Sequence, residues 1–253
     1  MIFNEFKFKN NEYPIVIIGS GPAGLSLALE LEKFKISSLV IEAGDYSFSN
    51  SSQKLYEGKV NGNFPNDLSK LRYRKFGGTF PSYNHYLKKN IGIIRPLDEY
   101  DFEKWSIKIT DIKPYLDKAS SYLKINNLFR EKNLNEDLKL IEFLNSEVNF
   151  GKTYKNFINK SKYISLILNL QFNKFIGQGS TVKEIECITN SFEKIKIKSN
   201  FFILACGGIE NSRLLLWSKE ISNLNFNNLP IGHFWMEHPF IKKLATINDK
   251  NEN

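Results

Sequence analysis

The spacing of apolar positions changes along the chain, and each change marks an element. Ile15-Val16-Ile17-Ile18 is an unbroken apolar run that stops at Gly19, the pattern of a short strand buried on both faces. From Pro22 to Leu31 apolar residues recur at helical spacing, and Ser38-Leu39-Val40-Ile41 reads as a second buried strand ending on Glu42. The serine-rich stretch from Asp45 to Gln53 reads as a loop, and Asn61 to Asp101 carries most of the Pro, Gly and Asn punctuation. A helix is predicted from Asp111 to Leu123, with Asp111 as cap, Pro114 in the first turn, and Tyr115, Leu116, Ala119, Tyr122 and Leu123 on one face. Asn135 to Leu144 reads as another helix. Strand patterns return at Leu166–Phe175, Thr181–Thr189, Phe192–Ile197 and Phe201–Leu204, with turns at Gly177-Gln178-Gly179 and Asn190-Ser191. These predict a small antiparallel meander that feeds one last buried strand.

The first strand–turn–helix carries chemistry. Gly19-Ser20-Gly21-Pro22-Ala23-Gly24 follows a strand and opens a helix, and Glu42 ends the next strand about twenty residues on. Each glycine has a task in a dinucleotide site. Gly19 permits the tight turn, Gly21 lets a pyrophosphate approach the backbone, and Gly24 lets the helix pack closely on the strand. Amides at the helix start face the phosphates, favoured by the helix dipole, and Pro22 costs no hydrogen bond there. Glu42 stands where an acid binds a ribose hydroxyl. The plainer alternative is a glycine turn in an ordinary α/β unit, which leaves the terminal acid unexplained.

A second segment repeats the pattern. Phe201-Phe202-Ile203-Leu204 runs into Ala205-Cys206-Gly207-Gly208, and a helix follows from Ile209. Ligands of open parallel sheets sit beyond the carboxyl ends of strands, and glycines there let backbone pass close to a nucleotide. A plain strand–helix turn would look the same.

Composition narrows the class. The 253 residues are 42% hydrophobic, with 21 Phe and 11 Tyr, enough for a large core in one or two domains. The net charge of +8 comes from scattered lysines. Lys194-Ile195-Lys196-Ile197-Lys198 is a half-exposed strand with a solvated face, so nucleic-acid binding is not expected. Cys187 and Cys206 form no metal or disulfide framework, which points to a reducing, cytoplasmic setting. The N-terminal stretch lacks a signal-peptide core, and the longest apolar stretch, Ile15 to Leu31, is broken by glycine, serine and proline, so no membrane span is expected.

Four separated segments then resemble the glucose–methanol–choline (GMC) oxidoreductases, FAD-dependent alcohol oxidases and dehydrogenases. They are Val16 to Glu42 with Ile41-Glu42-Ala43-Gly44; Arg74-Lys75-Phe76-Gly77-Gly78-Thr79; Arg95-Pro96 to Asp101-Phe102-Glu103-Lys104-Trp105; and Ile203 to Leu216, followed by Ile231-Gly232-His233 and Met236-Glu237-His238-Pro239. The resemblance implies FAD rather than NAD and an alcohol or sugar-like substrate whose hydride passes to the flavin. It implies an α/β fold: a Rossmann-like FAD-binding domain of the glutathione-reductase type with a β-meander (residues 13–60 and 160–217), and part of a substrate domain that covers the flavin (61–159 and 218–253). It assigns cofactor contacts to Gly19, Ser20, Gly21, Pro22, Ala23, Gly24, Glu42, Ala43, Gly77, Gly78, Thr79, Phe172, Cys206 and Gly207. The strand around Leu170 to Phe172 would meet the adenine end.

Two departures from the family pattern matter. Ser82 stands where some members carry a histidine bonded to the flavin, and His85 lies three residues later, so non-covalent FAD is expected. The family's catalytic base is a histidine near its C-terminus, a residue whose pKa suits proton removal. His85, His233 and His238 do not match that motif, so the sequence nominates no catalytic residue and no metal ligand. The match covers the N-terminal half of the family's usual length, which implies a remainder on a separate chain or lost.

Overall fold

The computed structural model describes residues 1–4, 12–61, 67–70, 72–79, 102–103, 105–125, 129–134, 139–143, 146 and 148–234. The two apolar runs become the centre of a sheet. Strand β2 (Glu12–Ile18) and strand β3 (Ser38–Ile41) pair in parallel, with Val16 opposite Leu39 and Ile18 opposite Ile41. Side chains alternate between the faces of a strand. Val16, Ile18, Leu39 and Ile41 therefore join one core cluster, and Ile17 and Val40 join a second on the opposite face. Helix α1 (Pro22–Lys33) lies over the second cluster and buries Leu25, Ala28 and Leu29 there. Leu25 is fully buried, so its truncation to alanine would cost about 2–5 kcal/mol.

Among the described residues, seven strands form the main sheet. Its remaining members are β1 (Ile2–Phe3), β6 (Ile164–Ile167), β7 (Leu170–Gln178), β8 (Thr181–Thr189) and β9 (Lys194–Leu204), in the order β1-β6-β3-β2-β9-β8-β7. Pairing is parallel from β1 through β9 and antiparallel in the meander β7-β8-β9. Strand β9 does both jobs: its first half closes the meander against β8, and its second half runs beside β2. Helix α6 (Gly208–Ile221) follows it and packs on β7. Helix α5 (Phe150–Lys160) leads into β6 and places Phe150 and Ile158 in the second cluster. The fold is therefore mixed α/β, as expected.

Several local expectations are corrected. Leu166–Phe175 is two strands, because Asn169 turns into the left-handed region at φ 57° and redirects the chain from the parallel layer into the meander. Conversely, Phe192–Ile197 and Phe201–Leu204 are parts of one strand, and Phe192 sits in the preceding turn at φ 64°. The last half of that strand is not fully buried, since Phe201 is 65% exposed. The stretch from Asp45 to Gln53 is not all loop: helix α2 (Asn50–Gln53) starts where the Ser52 amide donates to Ser49 Oγ. Asp111–Leu123 is helix α3 (Ile109–Ile112), a 3₁₀ turn over Lys113–Tyr115, and helix α4 (Leu116–Leu123), with the break at Pro114, which has no N–H to give. Asp111 is one turn inside, accepting the Lys108 amide at 2.8 Å, and Tyr115 is exposed. Of the range Asn135–Leu144 expected to be a helix, the described residues form strand β5 (Lys139–Phe143), antiparallel to β4 (Phe129–Asn133). A short apolar run fits either period, and pairing decided it.

Candidate functional site

The turn after β2 is built by close backbone contact. The Gly19 amide donates to Ile41 O at 2.8 Å, and Gly19 has φ 105°, a conformation that favours glycine. A Cβ on Gly24 would stand 2.0 Å from Gly19 O, so this glycine is what seats α1 on the turn. Gly21 caps α1 without a side-chain hydrogen bond, and Pro22 is the first helical residue. Gly21 is open: a Cβ there would meet nothing nearer than Ala205 O at 3.9 Å.

Two distant segments meet around this turn. The Gly77 amide donates to Ser20 O at 3.2 Å, and a Cβ on Gly78 would lie 2.7 Å from Gly21 Cα. From the other side, the Ala205 amide donates to Ile18 O at 2.8 Å. Gly207 has φ 85° with nothing within 4 Å of a Cβ position. Between them lies a cavity of about 720 Å³. Gly19, Gly21, Pro22, Ala23, Glu42, Ala43, Gly78, Thr79, Phe172, Cys206 and Gly207 line it. Ser20, Gly24 and Gly77 stand one layer back, as supports. Thr79 accepts the Tyr73 amide on its hydroxyl at 3.0 Å and so braces its own loop.

Glu42 is buried at the end of β3. Its Oε2 accepts the Ser20 amide at 3.0 Å and the Ser20 hydroxyl at 2.6 Å, and its Oε1 accepts the Gly44 amide at 2.8 Å. The acid thus fastens the glycine turn to β3 and lines the cavity. Cys206 is fixed by a sulfur-to-Ile18 O contact of 3.1 Å and by its amide on Asn211 Oδ1 at 2.9 Å. Burial, and to a lesser extent the charges of Glu42 and Glu210, push its thiol up to about 12, which disfavours the thiolate.

The sequence reading missed a polar wall of this cavity. Glu210, in the first turn of α6, takes Arg213 in a two-pronged bond and Arg72 Nη1 at 2.6 Å. The Arg72 guanidinium also stacks 4.1 Å from the Tyr56 ring. Arg74 and Gln171 line the same wall. The Arg-x-Arg spacing before the glycine pair was the available signal. His233 is exposed on a turn after α6 and does not line the cavity. Ser82, His85, His238 and the Arg95–Asp101 part of the third family-like segment lie outside the described residues. Both cysteines are unbridged, and the described residues hold no cluster of potential metal ligands. Among the described residues, no helix is long and apolar enough to cross a membrane.

No protein-family model and no curated protein matches the chain. Solved structures do. A crystal structure of pyridoxine 4-oxidase from Mesorbium loti superposes with a TM-score of 0.54 at 14% sequence identity, over 81% of this chain and 51% of that one. Formate oxidase aligns at a TM-score of 0.42 and 16% identity, over 83% and 48%. The chain thus spans about half the length of these structures. At such identity the likeness establishes the fold: this chain folds as the matching part of pyridoxine 4-oxidase does, in keeping with its resemblance to the glucose–methanol–choline oxidoreductases.

Proposed function

We propose that the cavity holds FAD without a covalent bond, and that the chain serves a flavin-dependent oxidation of an alcohol or sugar-like small molecule. The single observation that carries this reading is the meeting of three glycine turns, around Gly21, Gly78 and Gly207, at one cavity edged by Glu42. Gly21 and Gly207 leave room where a side chain would stand, which fits a cofactor backbone passing close by. In this reading Gly19, Ser20, Gly21, Pro22, Ala23 and Gly24 form the pyrophosphate turn, and Glu42 and Ala43 meet the adenosine ribose. Gly77, Gly78 and Thr79 run along the flavin, Phe172 borders the adenine, and Cys206 and Gly207 close the site. Residues 13–60 and 160–217 make up the cofactor domain, of Rossmann-like glutathione-reductase type, and 61–159 and 218–253 cover it.

When bound, FAD supplies the two-electron acceptor for the alcohol's C–H. The chain's own part is to bind and orient it. The α1 N-terminus presents free amides to a diphosphate, and its dipole favours that charge. Helix α6 lends its first turn to the opposite wall. Among the described residues no histidine lines the cavity, so the described site holds a cofactor but offers no near-neutral base for the hydroxyl proton. That observation keeps a second reading in view: a flavin-holding module whose partner brings the base, such as a separate chain carrying the other half of the family's length. A nicotinamide cofactor is the third and weaker reading, since it gives no role to the Gly77-Gly78 loop.

Absorbance of the purified chain tests these together. Flavin bands, with all flavin released into the supernatant on denaturation, are the expected result. A colourless chain that binds NADH would sink the FAD reading. Turnover of a panel of primary alcohols with an artificial electron acceptor separates the complete enzyme from the module.

A further inference from the structure

Arg74 is only 8% exposed, although it belongs to an irregular segment before the glycine pair. Its Nη1 donates to Ser52 Oγ at 2.6 Å and its Nη2 to Gln171 Oε1 at 2.8 Å. Neither acceptor is charged, and among the described residues no carboxylate lies within ion-pair distance of it. The contrast with Arg72 and Arg213 is sharp, because both of those sit on Glu210. A buried cation without a carboxylate is costly, and a guanidinium carries five N–H donors, of which these two bonds use two. Burial pushes the Arg74 guanidinium below its usual pKa, while the charges of Tyr56, Glu42 and Glu210 oppose that shift. All three of those groups line the cavity, as Arg74 does.

Glu42 supplies the matching count. A carboxylate has about four acceptor positions. Three are taken, two on Oε2 by Ser20 and one on Oε1 by the Gly44 amide. One is left over, and Glu42 lines the cavity. A ribose offers two adjacent hydroxyls, each both donor and acceptor. A single open carboxylate position serves one O–H, and the pair's oxygens still need donors, which Arg74 has to spare.

We propose that Arg74 and Glu42 jointly hold the ribose diol of an adenosine nucleotide, with Arg74 donating to the hydroxyl oxygens that Glu42 cannot serve. The proposal rests on the nucleotide reading above and adds a binding residue outside the glycine fingerprint.

Calorimetric titration of the purified full chain with ADP and with 2′,3′-dideoxy-ADP tests it. The wild-type chain is expected to bind ADP roughly tenfold or more tighter than the dideoxy form, the size of a hydrogen bond to a charged group. Arg74→Gln should lose roughly that factor for ADP and little for dideoxy-ADP. Because Arg74 also ties Ser52 and Gln171 together, thermal melting is compared for each variant. If the glutamine variant does not fold, Arg74→Lys, which keeps the cation but loses the planar fork, carries the same test. Equal affinity of the wild-type chain for the two nucleotides overturns the proposal, as does an equal loss for both in the variant. A wild-type chain that binds neither ADP nor FAD overturns the nucleotide reading itself.

Discussion

Gly78 and Gly21 touch backbone to backbone: a Cβ on Gly78 would stand 2.7 Å from Gly21 Cα. The glycine-pair loop is thus pressed onto the turn that opens α1, although the two are far apart in sequence. Gly78 also has φ 64°, which costs a side-chain-bearing residue about 1–2 kcal/mol before any clash. Gly78→Ala should therefore lower stability by about 2 kcal/mol or more and push the loop off the turn. The measurement is the melting temperature together with bound flavin per chain. Unchanged values for both would show that the loop does not depend on this contact.

Gly21 and Gly24 should fail in different ways. Gly21 is extended at φ −68° and a Cβ there meets only Ala205 O, at an ordinary contact distance of 3.9 Å, so Gly21→Val fits the protein but fills the proposed pyrophosphate approach. Its melting temperature without cofactor should stay within a few degrees of wild type, while flavin retention is lost. A Cβ on Gly24 meets Gly19 O at 2.0 Å, so Gly24→Ala should unseat α1 and lower stability even without cofactor. Retention of flavin by Gly21→Val at the wild-type level would count against the site.

These contrasts show what the sequence could and could not reveal. The glycines, Glu42 and the two central strands were legible because each reflects a local rule: tight turn, close approach, buried apolar run. The ends of β6 and β7 were not, since the apolar run Leu166–Phe175 conceals the left-handed turn at Asn169. The helix expected over Asn135–Leu144 failed because a short apolar run fits a strand as well as a helix, and antiparallel pairing with the neighbouring β4 selected the strand. The Arg72–Glu210–Arg213 group was hidden because its central contact is non-local: Arg72 and Glu210 are 138 residues apart and meet only when α6 folds over the cavity.

Both cysteines should be silent to thiol reagents. Burial, with a smaller push from Glu186, raises Cys187 well above the usual thiol range, and Cys206 is raised to about 12 by burial first and then by Glu42 and Glu210. The thiolate is the reactive form, so at pH 8 the folded chain should show almost no reaction with a chromogenic disulfide. Denaturant should release two reactive thiols per chain. Rapid labelling of Cys206 in the folded chain would show that its environment is more open than the contact with Ile18 O implies.

Glu210 should make stability depend on pH in the acid range. Burial pushes its carboxyl up, but the hydrogen bonds and charges of Arg213 and Arg72 outweigh that and leave it below its ordinary 4.5. A group whose folded pKa is depressed stabilises the fold above its unfolded pKa and loses that contribution as pH falls through the folded value. The contribution of Glu210 is then full at neutral pH and disappears progressively below about pH 4.5. Glu210→Gln keeps the shape and removes the charge. Because Arg213 is 55% exposed, the loss at pH 7 should be about 1–3 kcal/mol, less than for a fully buried pair. Melting temperatures of the wild type and the variant, measured from pH 7 to pH 3, should converge at the acid end. A constant gap across that range would mean that the charge of Glu210 does not hold Arg72 and α6 together.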